Sequence, residues 1–219
     1  MSQPAPLADH LAALIARAER FALTPEQVAE DERREARDRR RQVLSVARPA
    51  ILIEDVQAIV AGTLDPNNPW LVRVRKWLES STRVLILVGS VGSGKSCAAA
   101  WALAECGGYF VAAPDLVAAQ ESRQQGEWRM LVTTPLLQVD DLGDEKWPAD
   151  FSAALKLLLS KRAAHGGRTI LTTNLPVRSK DPDVETLRGR YPDEKLWSRI
   201  AQSFAVCSLN APDLRPRKS

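Results

Sequence analysis

The run Val84-Leu85-Ile86-Leu87-Val88-Gly89-Ser90-Val91-Gly92-Ser93-Gly94-Lys95-Ser96-Cys97 decides how this 219-residue chain is read. Its first five residues form a strand-sized apolar segment, far short of the roughly 20 that cross a bilayer. The eight that follow, Gly89 to Ser96, match G-x-x-x-x-G-K-[ST], the phosphate-binding loop. Glycines let the backbone curl until several N–H groups point inward at phosphate oxygens. Lys95 adds a cation for the β- and γ-phosphates, and the Ser96 hydroxyl a ligand for Mg²⁺. The next residues open an Ala-rich helix whose N-terminus favours an anion. The candidate nucleotide contacts are Gly89, Ser90, Val91, Gly92, Ser93, Gly94, Lys95, Ser96 and Cys97, with ATP and Mg²⁺ as the implied cofactors.

Outward from this run, short β-branched segments alternate with helical ones. Val84–Val88, Tyr109–Ala112, Leu136–Val139, Thr169–Thr173 and Phe204–Leu209 are expected strands; Ser96–Cys106, Ala149–Ala164 and Asp193–Gln202 are the clearest helices. The alternation predicts an α/β fold, a parallel five-stranded sheet with helices on both faces. Leu136-Leu137-Gln138-Val139-Asp140-Asp141 ends a buried strand in two carboxylates. A nucleotide site uses one such carboxylate for the Mg²⁺ shell and another to polarise the attacking water. Asp140 is assigned to the metal and Asp141 to the water. Thr169–Thr173 leads into Asn174, which would sit beside the other strand ends, at the edge where such sheets bind ligands. Asp-Asp-Leu-Gly is also good turn chemistry, and a lone Asn is commonly a cap; the phosphate loop favours the functional reading. In the helix at Asp193–Ile200, Leu196 and Ile200 face inward and Arg199 lies on another face, locally no different from a solvated arginine.

Upstream, residues 1–46 read as helix. Leu7, Leu11, Leu14, Ile15 and Ala18 recur at helical spacing, and Thr24-Pro25-Glu26 is an N-cap followed by Pro. A second helix runs through Asp31–Arg41 to about Val46. So few large apolar residues make a weak core, and the pair is expected to dock on the main domain or on a partner. Arg48-Pro49 breaks the pattern. Glu54–Val60 is a short helix, and Asp65–Pro69 is a loop with an Asn cap for a helix at Pro69–Leu78 that buries Trp70, Val74 and Trp77.

Thirty Lys+Arg against 27 Asp+Glu give +3, too little to imply nucleic-acid binding by itself. Six of the 22 Arg crowd between Arg33 and Arg41. Opposite charges three and four apart there make a solvated helix face, though Arg leaves polyanion contact open. Three cysteines without metal-type spacing suit reduced thiols. Met1 to Pro6 lacks a basic n-region leading into an apolar stretch. A cytoplasmic chain without a membrane partner is the expectation.

The phosphate loop, Val139-Asp140-Asp141-Leu142-Gly143-Asp144-Glu145, Thr172-Thr173-Asn174-Leu175, Leu196-Trp197-Ser198-Arg199-Ile200 and Asp213-Leu214-Arg215 occur in the order seen in AAA+ ATPases. Over about residues 47–215 the chain resembles the branch containing the DnaC/DnaI-type replicative helicase loaders and the IstB-type transposition helpers. That resemblance implies Walker A at Lys95 and Ser96, Walker B at Asp140 and Asp141, and sensor 1 at Asn174. It makes Arg199 the arginine finger given in trans to a neighbouring subunit's nucleotide, and Arg215 a sensor-2-like contact. It also divides the chain into an N-terminal partner-binding helical segment, 1–46, an AAA+ ATPase domain, 47–215, and a tail, 216–219, with no C-terminal lid domain.

Two departures stand out: Asp141 replaces the Glu of many AAA+ proteins, and residues 1–46 lack the Cys/His metal ligands of some loaders. The implied function is an ATPase that oligomerises on single-stranded DNA and acts on a replicative DNA helicase, or on a transposase if the helper likeness governs. Pro114–Leu131, with Arg123, Trp128 and Arg129, falls where this branch contacts DNA. Basic residues beside an aromatic suit a single-strand path, and equally a solvated helix. The rival from another class is a P-loop small-molecule kinase, but such kinases begin near their phosphate loop, and here 88 residues precede Gly89.

Overall fold

The computed structural model describes Thr24, Glu26, Gln27, Asp65 and residues 67–121 and 125–209. Within residues 1–46 it shows the expected helix start. The Gln27 amide donates to Thr24 Oγ1 at 3.2 Å and the Thr24 amide to Gln27 Oε1 at 2.8 Å, a reciprocal cap. The other expected helices of that segment, the helix at 54–60, Arg123 and Arg215 lie outside the described residues.

From Pro69 on, the described elements belong to the compact unit Arg39–Ser219. They run α1 (Pro69–Leu78), β1 (Val84–Gly89), α2 (Lys95–Cys106), β2 (Gly108–Ala112), α3 (Ala113–Glu121), α4 (Gln125–Thr133) and β3 (Leu136–Leu142). Then come α5 (Pro148–Ala164), β4 (Arg168–Thr173), α6 (Leu187–Arg190), α7 (Glu194–Ala201) and β5 (Phe204–Leu209). Asn68 caps α1 as expected, its Oδ1 accepting from the Trp70 amide at 2.9 Å with Pro69 in the first turn. The strands pair in parallel in the order β2-β3-β4-β1-β5.

Side chains on a strand point alternately to its two faces, so β1, β3 and β4 each feed two cores, while edge strand β5 packs one face and leaves Phe204 and Val206 exposed on the other. Leu85, Leu87, Leu136, Ile170 and Cys207 pack with α1 and α2. Val84, Ile86, Val88, Leu137, Val139 and Leu171 pack with α3, α4, α5 and α7. Burial on both faces is why β1 and β3 carry near-continuous apolar runs instead of alternating ones. In α2, Ala98, Ala99, Ala100 and Ala102 are fully buried; methyl side chains let that helix lie close on the sheet. Among the described residues no helix is long and apolar enough to cross a membrane.

The strand ends differ modestly from expectation. β3 continues through Asp140 and Asp141 to Leu142, and Pro114–Leu131 forms parts of two helices. At the amino edge, two arginines staple helix ends to the sheet. Arg168 stacks on Trp77 at 3.9 Å from the ring centre and donates to the carbonyls of Leu78 at 2.7 Å, Thr82 at 3.2 Å, and Trp77. Arg162, 1% exposed, donates to Leu131 O at 2.5 Å, Thr134 O at 3.0 Å, Arg168 O at 2.5 Å and Thr169 Oγ1 at 2.9 Å. Burial lowers its pKa to about 10, which still leaves it charged at neutral pH. Arg162→Leu strands those acceptors in an apolar wall. At roughly 1–3 kcal/mol for each buried polar group left unpaired, urea unfolding should show a loss of about 3 kcal/mol or more.

Candidate nucleotide-binding site

β1 delivers the chain to the carboxyl edge of the sheet at Gly89, and α2 begins at Lys95. Gly94, the N-cap of α2, has φ 94°, a left-handed conformation that roughly 1–2 kcal/mol disfavours in residues carrying a Cβ. The turn leaves the first N–H groups of α2 without intrahelical partners, the ordinary setting for an anion. Ser93 Oγ is fully buried in this loop and has no hydrogen-bond partner among the described residues.

The Lys95 ammonium, with only 4% of the residue exposed, donates to Gly89 O at 2.8 Å, Ser90 O at 2.8 Å and Asn174 Oδ1 at 2.9 Å. The last bond joins the loop to the end of β4. Its origin is register: β1 and β4 pair with Val88 opposite Thr173, so the next residues, Gly89 and Asn174, meet at the same edge.

β4 braces the carboxylates on its other side. β3 pairs Val139 with Leu171 and Leu142 with Thr173, so Asp140 and Asp141 together stand opposite Thr172. This is a bulge, the device by which a strand re-aims side chains at a site. Asp141 takes φ 57°, the one described non-glycine residue with positive φ. Thr172 Oγ1 serves both acids: it accepts from the Asp141 amide at 3.0 Å and donates to Asp140 Oδ1 at 2.7 Å. Gln138 Nε2 adds a 2.6 Å bond to the same oxygen.

Two solved structures share this architecture. The DnaC helicase loader superposes with a TM-score of 0.53 at 22% identity, covering 67% of this chain and 92% of that one. DnaI gives a TM-score of 0.50 at 18% identity, covering 66% and 85%. No protein-family model matches the sequence, and no curated protein does. The fold is the one these two structures share, a five-stranded parallel sheet with a phosphate-loop motif at its carboxyl edge.

This fold brings the phosphate-loop residues, Asp140, Asp141 and Asn174 to one edge of the sheet, and Arg199 to the other. Arg199 is exposed on α7 and lines a cleft of about 190 Å³ with Arg83, Val84, Thr169 and Ser203. Those partners mark the starts of β1, β4 and β5, so a strand length of about 20 Å separates Arg199 from its own phosphate loop. Trp128 is partly buried, packed against the core, whereas Arg129 is exposed.

Three features escaped the sequence reading. Thr172 stands two residues before Asn174, and its hydroxyl in a buried strand was the available signal. Glu145 and Arg190 pair across 45 residues of sequence, and no local pattern marks that. Trp147, 61% exposed with the Lys146 ammonium 5.3 Å from its ring centre, flanks the turn after β3.

Hard oxygen donors such as Asp140 and Ser96 suit Mg²⁺, which is commonly held by one or two protein ligands plus phosphates and water. Thr172→Val keeps the shape and leaves the Asp141 amide and an Asp140 oxygen each one partner short. It should cost about 1–3 kcal/mol in urea unfolding, most of which Thr172→Ser should recover.

Proposed function

We propose that this chain is a Mg²⁺-dependent ATPase of the helicase-loader kind, an ATP-driven switch that assembles with its own copies on single-stranded DNA and acts on a replicative helicase. The observation that carries the reading is the Lys95–Asn174 bond beside the Asp140–Asp141 bulge, which gathers a phosphate cation, two carboxylates and a polar amide at one sheet edge.

In this reading Gly89 to Ser96 and Cys97 surround the triphosphate, and Lys95 exchanges its carbonyl partners for β- and γ-oxygens. Ser96 and Asp140 would hold Mg²⁺, whose charge would offset that building on the phosphates. Asp141 takes the proton of the attacking water, and Asn174 fixes that water or the γ-phosphate. Arg215 is assigned to the nucleotide as the sensor-2-like residue. Arg199 lies at the far edge from its own loop, which suits donation to a neighbouring copy and not action in cis. The same placement disfavours a self-contained kinase. The fold shared with the DnaC helicase loader supports a helicase partner. Exposed Arg129, and Trp147 beside Lys146 next to the nucleotide edge, support a single-stranded path through cation contact and base stacking.

Hydrolysis and binding measured together test the site. Lys95→Ala should lose Mg-ATP affinity. Asp141→Asn should bind Mg-ATP and hydrolyse it about 10²-fold or more slower. Arg199→Ala should bind normally and lose about 10³-fold in rate. Mixing it with Lys95→Ala should restore turnover, since one chain supplies the arginine and the other the intact loop. No rescue on mixing would make Arg199 a solvated residue.

For DNA, filter binding of an oligothymidine should weaken steeply with salt. Arg129→Ala combined with Arg123→Ala should flatten that slope by about one or two units. Absence of binding at low salt would remove the DNA role.

A further inference from the structure

Immediately after the bulge, the chain turns back within a few residues. The Asp144 amide donates to Asp141 O at 3.2 Å. Gly143 sits at φ 112°, where a Cβ would lie 3.0 Å from Leu175 Cδ1. Asp141 itself is held at φ 57°, a conformation that costs a residue of this kind on the order of 1–3 kcal/mol and persists only where its surroundings over-determine it. On the strand side Thr172 supplies that constraint.

On the far side it comes from Glu145, 3% exposed. Glu145 Oε2 accepts from the Gly143 amide at 2.9 Å and Oε1 from Arg190 Nε at 2.7 Å. Arg190 Nη2 donates to the Glu145 carbonyl at 2.7 Å, and Nη1 reaches Glu185 Oε1 at 2.9 Å. Bonding to Glu145 holds the Arg190 guanidinium above its ordinary range. As a stability device this is poor, because a buried ion pair commonly contributes no more than well-packed apolar residues of the same size. An apolar pair, however, cannot hold an amide on one oxygen and a guanidinium on the other.

We propose that Glu145, gripped by Arg190, is a positioning residue for ATP hydrolysis: the pair sets the path of the 141–145 turn and so the place of the Asp141 carboxylate. This rests on the ATPase reading above. A second ion pair provides the contrast. Lys156 on α5 bonds Asp193, the N-cap of α7, at 2.5 Å without touching the turn.

The test uses the full chain, comparing Glu145→Gln, Arg190→Lys and Lys156→Ala for ATP affinity, kcat, KM and urea stability, with Asp141→Asn as the background rate. Glu145→Gln should lower kcat about tenfold or more with KM and ATP affinity within about twofold. Arg190→Lys should lower kcat less, and Lys156→Ala should change stability and leave kcat alone. A folded Glu145→Gln with wild-type kcat overturns the proposal while the ATPase reading stands. So does a kcat that follows stability alike in Glu145→Gln and Lys156→Ala. A wild type no faster than Asp141→Asn sinks both. If Glu145→Gln does not fold, a wild-type kcat in Arg190→Lys overturns the proposal by itself.

Discussion

The parallel pairing of β1 with β4, one residue in register from bringing Gly89 against Asn174, governs the rest of the site. Both strands run between helical layers, buried on two faces, and a one-residue slip would turn every apolar side chain to the wrong core. The register that satisfies the cores therefore also sets Lys95 on Asn174. Packing and chemistry share one constraint. Nothing in the loop's own residues would hold that lysine at the end of a strand 79 positions away.

The two edges of the sheet spend their polar groups differently. At the amino edge, Arg162 and Arg168 direct their guanidinium groups at backbone carbonyls of helix ends, a use that closes off groups otherwise unpaired. At the carboxyl edge, the polar groups are carboxylates, an amide and an ammonium, and there Asp141, alone among the described non-glycine residues, takes a positive φ. Strain gathered at one edge of an otherwise regular sheet is the pattern of a functional site supported by its scaffold.

Much of this was legible in the sequence. The five strands were placed to within a few residues because each is a compact apolar run between turn signals, and the cap at Asn68 and the phosphate loop are local patterns. The Asp140–Asp141 pair was legible as two carboxylates at a strand end but not as a bulge, since a bulge is defined by the partner strand, and only pairing with Thr172 reveals two residues facing one. Arg162 carries no local mark on α5; its burial depends on the end of α4 and the start of β4 meeting there. Trp128 read as a DNA candidate, yet the α4 face that carries it turns toward the core. Glu145 and Arg190 are ordinary charged residues until the turn after β3 and the short α6 come together. What the sequence shows poorly is any contact whose two halves are separated by a fold.

The most direct measurement of the account is a crystal structure of the full chain with a non-hydrolysable Mg-ATP analogue. The triphosphate should lie along residues 89–96. Lys95 Nζ should leave Gly89 O and Ser90 O for the β- and γ-oxygens, Asp140 should stand at the metal's water shell, and Asn174 should face the γ-phosphate. A triphosphate bound elsewhere, or bound there with Lys95 still on those carbonyls and Asp140 remote from the metal, would contradict it.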